Sequence, residues 1–154
     1  MADKKIQGQF GILYKWDADE GANGAYVPLI CMTTNTFNRS MDITTDDPTK
    51  CNPDTTEKSA GINDYSVTGS AQIVDMEGAT DKQSFFELKA VFDAREKSNY
   101  KYDYNADGDD AGTYVEYFEA FITDLPATQE VNVKSTFDIT LEITGGVSQT
   151  DPLV

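Results

Sequence analysis

Histidine is absent from this sequence, tryptophan occurs once, cysteine twice, and lysine plus arginine number only 12. Each scarcity excludes a chemistry. Without histidine there is no Ser-His-Asp or Cys-His nucleophile system. There is no His-containing zinc site either, and two cysteines cannot build a Cys₄ site. Against the 12 cations stand 27 Asp plus Glu, a formal net charge of −15. That balance opposes a basic groove for nucleic acid phosphates and opposes docking on an anionic membrane. No apolar run approaches the roughly 18 residues needed to span a bilayer. The start, Met1-Ala2-Asp3-Lys4-Lys5-Ile6-Gln7, lacks the apolar stretch of a signal peptide. The expectation is a chain made in a cytoplasm, with Cys31 and Cys51 reduced by default. Cys51, with no base to activate it, reads as a loop thiol.

What is present is a globular composition, 39% hydrophobic and 11% aromatic over 154 residues, enough for one domain. The dominant pattern is alternation. Val131, Val133, Phe137, Ile139, Leu141 and Ile143 fall on alternate positions with Ser135 as the one gap, predicting a long strand with one buried and one wet face, ended by Gly145-Gly146. Before it, residues 113–125 carry apolar side chains on both faces, predicting a strand covered on both sides. Pro126-Ala127-Thr128 joins the two as an antiparallel hairpin. Residues 65–73 and 99–104 alternate as well, the latter with Tyr100, Tyr102 and Tyr104 on one face. Residues 27–33 and 36–43 predict shorter strands separated by Thr34-Asn35. Residues 44–64 are polar and read as a long exposed loop, a feature that in compact domains is usually functional or disordered until bound. One helix is predicted: Thr80 and Gln83 fit a capping box, Phe85, Leu88 and Phe92 form its apolar stripe, and Arg95 with Lys97 suit its last turn.

Asp103-Tyr104-Asn105-Ala106-Asp107-Gly108 matches the opening of a calcium loop, with Asp103, Asn105, Asp107 and Asp109 as candidate ligands. The twelfth position is Tyr114 rather than a bidentate Glu, and an acidic β-turn explains the same residues. Asp17-Ala18-Asp19-Glu20 and Asp46-Asp47 are carboxylate clusters of the kind glycosidases pair, but spacing alone brings no two together. Trp16 and the three tyrosines offer an aromatic surface suited to sheet packing or a subunit contact, or to stacking on a sugar or base.

The order of these segments carries a resemblance. Val27-Pro28-Leu29-Ile30-Cys31-Met32 leads to Ser40-Met41-Asp42-Ile43-Thr44. The polar stretch then runs into Gly61-Ile62-Asn63-Asp64-Tyr65-Ser66-Val67-Thr68-Gly69, and the helix into a closing hairpin with Phe137-Asp138-Ile139-Thr140-Leu141. Residues 25–147 resemble the major tail tube proteins of long-tailed bacteriophages, the TP901-like group. The resemblance implies a mainly β protein, an antiparallel β-sandwich or barrel-like fold with one flanking α-helix. It places an N-terminal arm or first strand at residues 1–24 and a C-terminal tail at 148–154. It implies a structural virion protein, assembled in the host cytoplasm and located in the tail. Its subunits would form stacked hexameric rings around the tape-measure protein, meet the tail terminator and baseplate or tip proteins, and pass DNA through the lumen without specific binding. No catalytic residue, no cofactor and no membrane contact is implied. The candidate inter-ring contacts are Thr44, Asp47, Lys50, Asn52, Asp54, Glu57 and Asp64, with the tail as a second. Asp138 and Glu142 are the candidate lumen residues. Competing readings are the inner tube of a contractile injection system, a calcium-stabilised β-sandwich that binds a carbohydrate or protein, and an acidic two-carboxylate hydrolase.

Overall fold

Period-two alternation in the sequence becomes, in a computed structural model, one antiparallel sheet. The structure describes residues 5–19, 23–29, 32–46, 57–74, 84–106 and 111–153. Its strands are β1 (Ile12–Asp17), β2 (Ala25–Pro28), β3 (Met32–Asp46), β4 (Glu57–Gln72), β5 (Ser98–Asp103), β6 (Val115–Asp124), β7 (Ala127–Thr128) and β8 (Thr136–Ser148). The one helix, α1, spans Phe85–Ala94. Strand order is β2-β1-β5-β6-β8-β4-β3, with β7 paired to the start of β8.

The β3 edge of this order packs back over its β5–β6 middle. Phe37 of β3 lies 5.8 Å from the Tyr102 ring of β5 and 5.6 Å from Phe118 of β6. Asn35 Nδ2 donates to the Gly11 carbonyl at 3.1 Å. One continuous sheet therefore folds over on itself, and its inward side chains form a single core around Leu13, Val67, Tyr100, Phe137, Ile139 and Leu141, all essentially fully buried. The expected β-sandwich or barrel-like fold with a flanking helix is what is found. Helix α1 covers this core with Phe85 and Leu88, the Phe85 ring 5.1 Å from Phe137.

Several sequence expectations change in detail. The helix begins at Ser84, whose Oγ accepts from the Glu87 amide at 3.4 Å. The pair Ser84/Glu87 is thus the cap signature in use, and Thr80 and Gln83 lie outside the described residues. Arg95 takes the left-handed conformation (φ 58°) that ends the helix. Lys97 lies beyond it and reaches Glu119 at 3.0 Å. Val131 and Val133 are 89% and 60% exposed, because Asn132 in the left-handed region (φ 64°) turns the chain there and β8 starts only at Thr136. At its other end β8 runs through Gly145-Gly146. Gly145 adopts φ 79°, and the register against β6 jumps between Tyr117 and Glu119, so the glycines make a bulge rather than a stop. Thr34-Asn35 likewise sit inside β3, beside a register shift. Strand β6 buries only Phe118, Ala120 and Ile122 from its central stretch, and Phe121 on the other face is 40% exposed. Among the described residues nothing packs over that outer face.

The largest revision concerns residues 44–64. Thr44 pairs with Ser59, Thr45 with Lys58 and Asp46 with Glu57, so both flanks of the expected loop are strand. A polar strand exposed on both faces has no hydrophobic alternation, which is why it reads as loop.

Candidate assembly surfaces

The β3–β4 hairpin is longer than the sheet that carries it. Strand β4 pairs with β8 only from Ser66 to Gln72. Residues 57–65 of β4 and 39–46 of β3 continue as a two-stranded arm about 23 Å beyond that pairing, at ~3.3 Å per residue. Cross-strand partners share a face, and the core-side face runs outward as Phe37/Val67, Arg39/Tyr65, Met41/Asn63, Ile43/Ala60 and Thr45/Lys58. Met41 and Ile43 on it are 52% and 57% exposed. The opposite face holds Ser40, Asp42, Thr44 and Asp64. The arm thus carries the core's apolar stripe past the end of the core. Gly61 permits the bulge between the Met41 and Ile43 pairs: a Cβ there would sit 2.7 Å from the Asp42 carbonyl oxygen. A two-stranded ribbon alone is marginal in water, so such an arm calls for a partner.

The second surface is the outer face of β3-β4-β8-β6. Register aligns Thr34, Thr36, Asn38 and Ser40 of β3 with Ser70, Thr68, Ser66 and Asp64 of β4. These lie beside Asp138, Thr140, Glu142 and Thr144 of β8, and then Asp124, Phe121 and Glu119 of β6. Ser70 Oγ donates to Asp138 Oδ1 at 2.5 Å. Hydroxyls and carboxylates dominate, and no lysine or arginine stands on this face within the four strands. Strand β3, 15 residues long, is also an edge of the sheet, with no strand paired to its other side among the described residues.

On the outer side of β2-β1-β5, Lys101 Nζ lies 4.2 Å from the Tyr14 ring centroid, and Trp16 meets Tyr26 edge-on at 5.1 Å. Tyr26 donates to Asp151 Oδ1 at 3.1 Å, pinning the C-terminal tail there. Burial, then this hydrogen bond, pushes the Tyr26 hydroxyl well above its usual pKa. The aromatic surface anticipated from Trp16 and Tyr100, Tyr102 and Tyr104 divides: Tyr100 and Tyr102 are core, and Trp16 joins Tyr14 and Tyr26 instead.

Asp103, the first candidate calcium ligand, is buried at the end of β5. Its Oδ1 accepts from the Asn105 amide and its Oδ2 from the Gly112 amide, each at 3.0 Å. It ties the turn together through these two bonds. Asn105 is buried beside it, and Asp107 and Asp109 lie outside the described residues. Among the described residues no group of three or more Cys, Asp or Glu side chains is arranged to hold a metal ion. Of the candidate inter-ring residues, Thr44, Glu57 and Asp64 stand on the arm's strands, while Asp47, Lys50, Asn52 and Asp54 lie outside the described residues. The sequence reading missed Met41 and Ile43 as surface groups, although their continued alternation with Phe37 was the available signal. A groove of about 1010 Å³ between β3 and the stretch before β1 is lined by Leu29, Met32, Tyr102 and Tyr104 among others, and contains no carboxylate.

A long exposed edge, a projecting arm with an apolar stripe and a polar outer face are the features of a subunit of an assembly. The profile of the phage tail tube protein family matches residues 5–149. No curated protein sequence matches. Among solved structures, the tail of an empty gene transfer agent particle, determined with helical refinement and C6 symmetry, is 12% identical with a TM-score of 0.72, over 94% of this chain and 98% of that one. The SPP1 tail tube is 12% identical with a TM-score of 0.68, over 92% and 77%. The sheath–tube complex of an extracellular contractile injection system is 16% identical with a TM-score of 0.56, over 90% and 87%. The chain belongs to the phage tail tube protein family and is a structural subunit of the virion tail.

Proposed function

We propose that this chain closes into hexameric rings that stack into the hollow conduit through which phage DNA is ejected. The observation that carries this reading is the arm: residues 39–46 and 57–65 project past the core with Met41 and Ile43 exposed on one face. Burying that stripe against a neighbouring subunit gives the arm the third layer it lacks. The open edge of β3 gains a strand by the same association. The C6 symmetry of the gene transfer agent tail supports six subunits per ring.

The outer face of β3-β4-β8-β6 is assigned to the lumen. Asp138 and Glu142 there repel phosphates, and the absence of cations on this face leaves DNA nothing to grip. Hydroxyls keep the wall wetted. The tape-measure protein occupies the same lumen during assembly, and the terminator and the baseplate or tip proteins cap the two tube ends. The subunit acts by shape and charge and catalyses nothing.

Negative-stain electron microscopy of the protein over a concentration series tests this. Rings or tubes appear at high concentration. Monodisperse monomers at every concentration, with or without a tail initiator complex, would refute the reading.

A further inference from the structure

Arg39 stands where the arm leaves the body. It is half-exposed, and its guanidinium makes more contacts than any other cation described. It donates to Glu116 Oε1 of β6 and to the hydroxyl of Tyr104, just beyond β5. Tyr104 in turn donates to the same Glu116 oxygen at 2.8 Å. The guanidinium carbon also lies 4.3 Å from the Phe37 ring centroid and 5.8 Å from that of Tyr104. Arg39 thus joins β3, an edge strand, to β5 and β6 across the folded-over sheet, a link that strand pairing does not supply. The described hydrogen bonds of residues 40–46 and 57–64 beyond the strand ladder run only within the arm: Ser40 to Asp64, and Asn63 to Tyr65.

We propose that Arg39 is a positioning residue, clamping the base of the arm to β5 and β6 and so setting the direction in which the arm leaves the subunit. Direction matters because the arm is a lever. A tilt of about 10° at the base of a ~23 Å ribbon moves its far end by roughly 4 Å, the width of an apolar contact. Two-stranded ribbons twist and flex more than wide sheets, so the ladder alone fixes the angle poorly. A planar, forked cation is suited to this duty: it grips a carboxylate and a hydroxyl while lying over the Phe37 ring. Lysine offers the charge without the fork or the plane. The importance of the arm's direction rests on the reading of the arm as an inter-subunit contact; the clamp itself does not.

The test uses the full chain with Cys31→Ser and Cys51→Ser, spin-labelled at Thr44→Cys on the arm and Ala90→Cys on α1, at concentrations where it is monomeric. Pulsed electron resonance then reads the arm-to-body distance distribution. The expected result is a single narrow distribution that Arg39→Ala broadens about twofold, with Arg39→Lys intermediate, while the melting temperature shifts by less than about 3 °C. An unchanged width in Arg39→Ala overturns the clamp. Should Arg39→Ala prove too unstable to measure, Glu116→Gln takes its place under the same criterion. Tube assembly is scored separately with Met41→Asp: if that variant assembles normally while Arg39→Ala still broadens the distribution, the arm reading fails and the clamp stands.

Discussion

Tyr100 sits at the centre of the core, fully buried, its ring stacked 5.8 Å from Phe118. Burial holds its hydroxyl neutral well above the usual tyrosine range. In the unfolded chain the same group ionises near pH 10. Above that pH the unfolded state has lost a proton that the folded state retains, so stability falls as pH rises. Tyr100→Phe removes that linkage, and the midpoint of alkaline unfolding, followed by circular dichroism, moves upward relative to the native chain. A midpoint unchanged or lowered, with neutral-pH stability intact, contradicts this assignment. The tyrosine at position 100 was legible from sequence as one of an alternating row. That it faces inward, while Tyr14 and Tyr26 carry the outer aromatic cluster, depended on which face of β5 met the folded-over sheet.

At the scale of elements, the arm is the decisive feature, and its residues carry two predictions. Met41→Asp with Ile43→Asp places charge on the exposed apolar stripe, where it disturbs no core contact. The subunit's melting temperature stays within about 3 °C of the native value, and tubes fail to form at concentrations about tenfold above the native threshold, as seen by sedimentation. Gly61→Val acts on the bulge. Its side chain would meet the Asp42 backbone at 2.7 Å already at Cβ, so the arm must distort. Assembly weakens again, here with a change in hydrogen exchange confined to the arm's amides. Strands β6 and β8 were legible because each alternates against a buried core. Of the arm, residues 39–43 of β3 were legible as strand, because Met41 and Ile43 continue the alternation, whereas residues 44–46 and 57–64 were not: on β4 that alternation meets Asn63, Ala60 and Lys58. The cap of α1 was misplaced for a related reason. Two Ser/Thr-x-x-Glu/Gln signatures stand back to back in Thr80-Asp81-Lys82-Gln83-Ser84-Phe85-Phe86-Glu87, and burial of Phe85 and Leu88, with Phe85 against Phe137, decides between them.

For the whole molecule, the charge of −15 has a direction as well as a size. The outer face of β3-β4-β8-β6 holds carboxylates without cations, whereas Arg39 and Lys58 stand on the opposite side of the same hairpin. Asp138→Lys with Glu142→Lys reverses the sign in the middle of that face and leaves the core untouched. Tubes of this variant retain short DNA at low salt and release it as salt rises, while native tubes retain none, measured by co-sedimentation. Equal retention by both kinds of tube would assign the lumen to another face.

The sequence by itself determined the excluded chemistries, the antiparallel β class, the Phe85/Leu88 part of the helix stripe (Phe92 is 39% exposed) and the family resemblance. All of these depend on residue type and on spacing within one segment, which short-range physics reads directly. Tertiary structure alone decided that the sheet folds over so that Phe37 meets Tyr102, that Arg39 reaches Glu116, and that a polar stretch is a paired arm. Those outcomes depend on register and on contacts between residues 65 and 77 positions apart. A strand's own pattern fixes which side chains share a face, but which face meets which neighbour is settled only when the separate ladders close around one core.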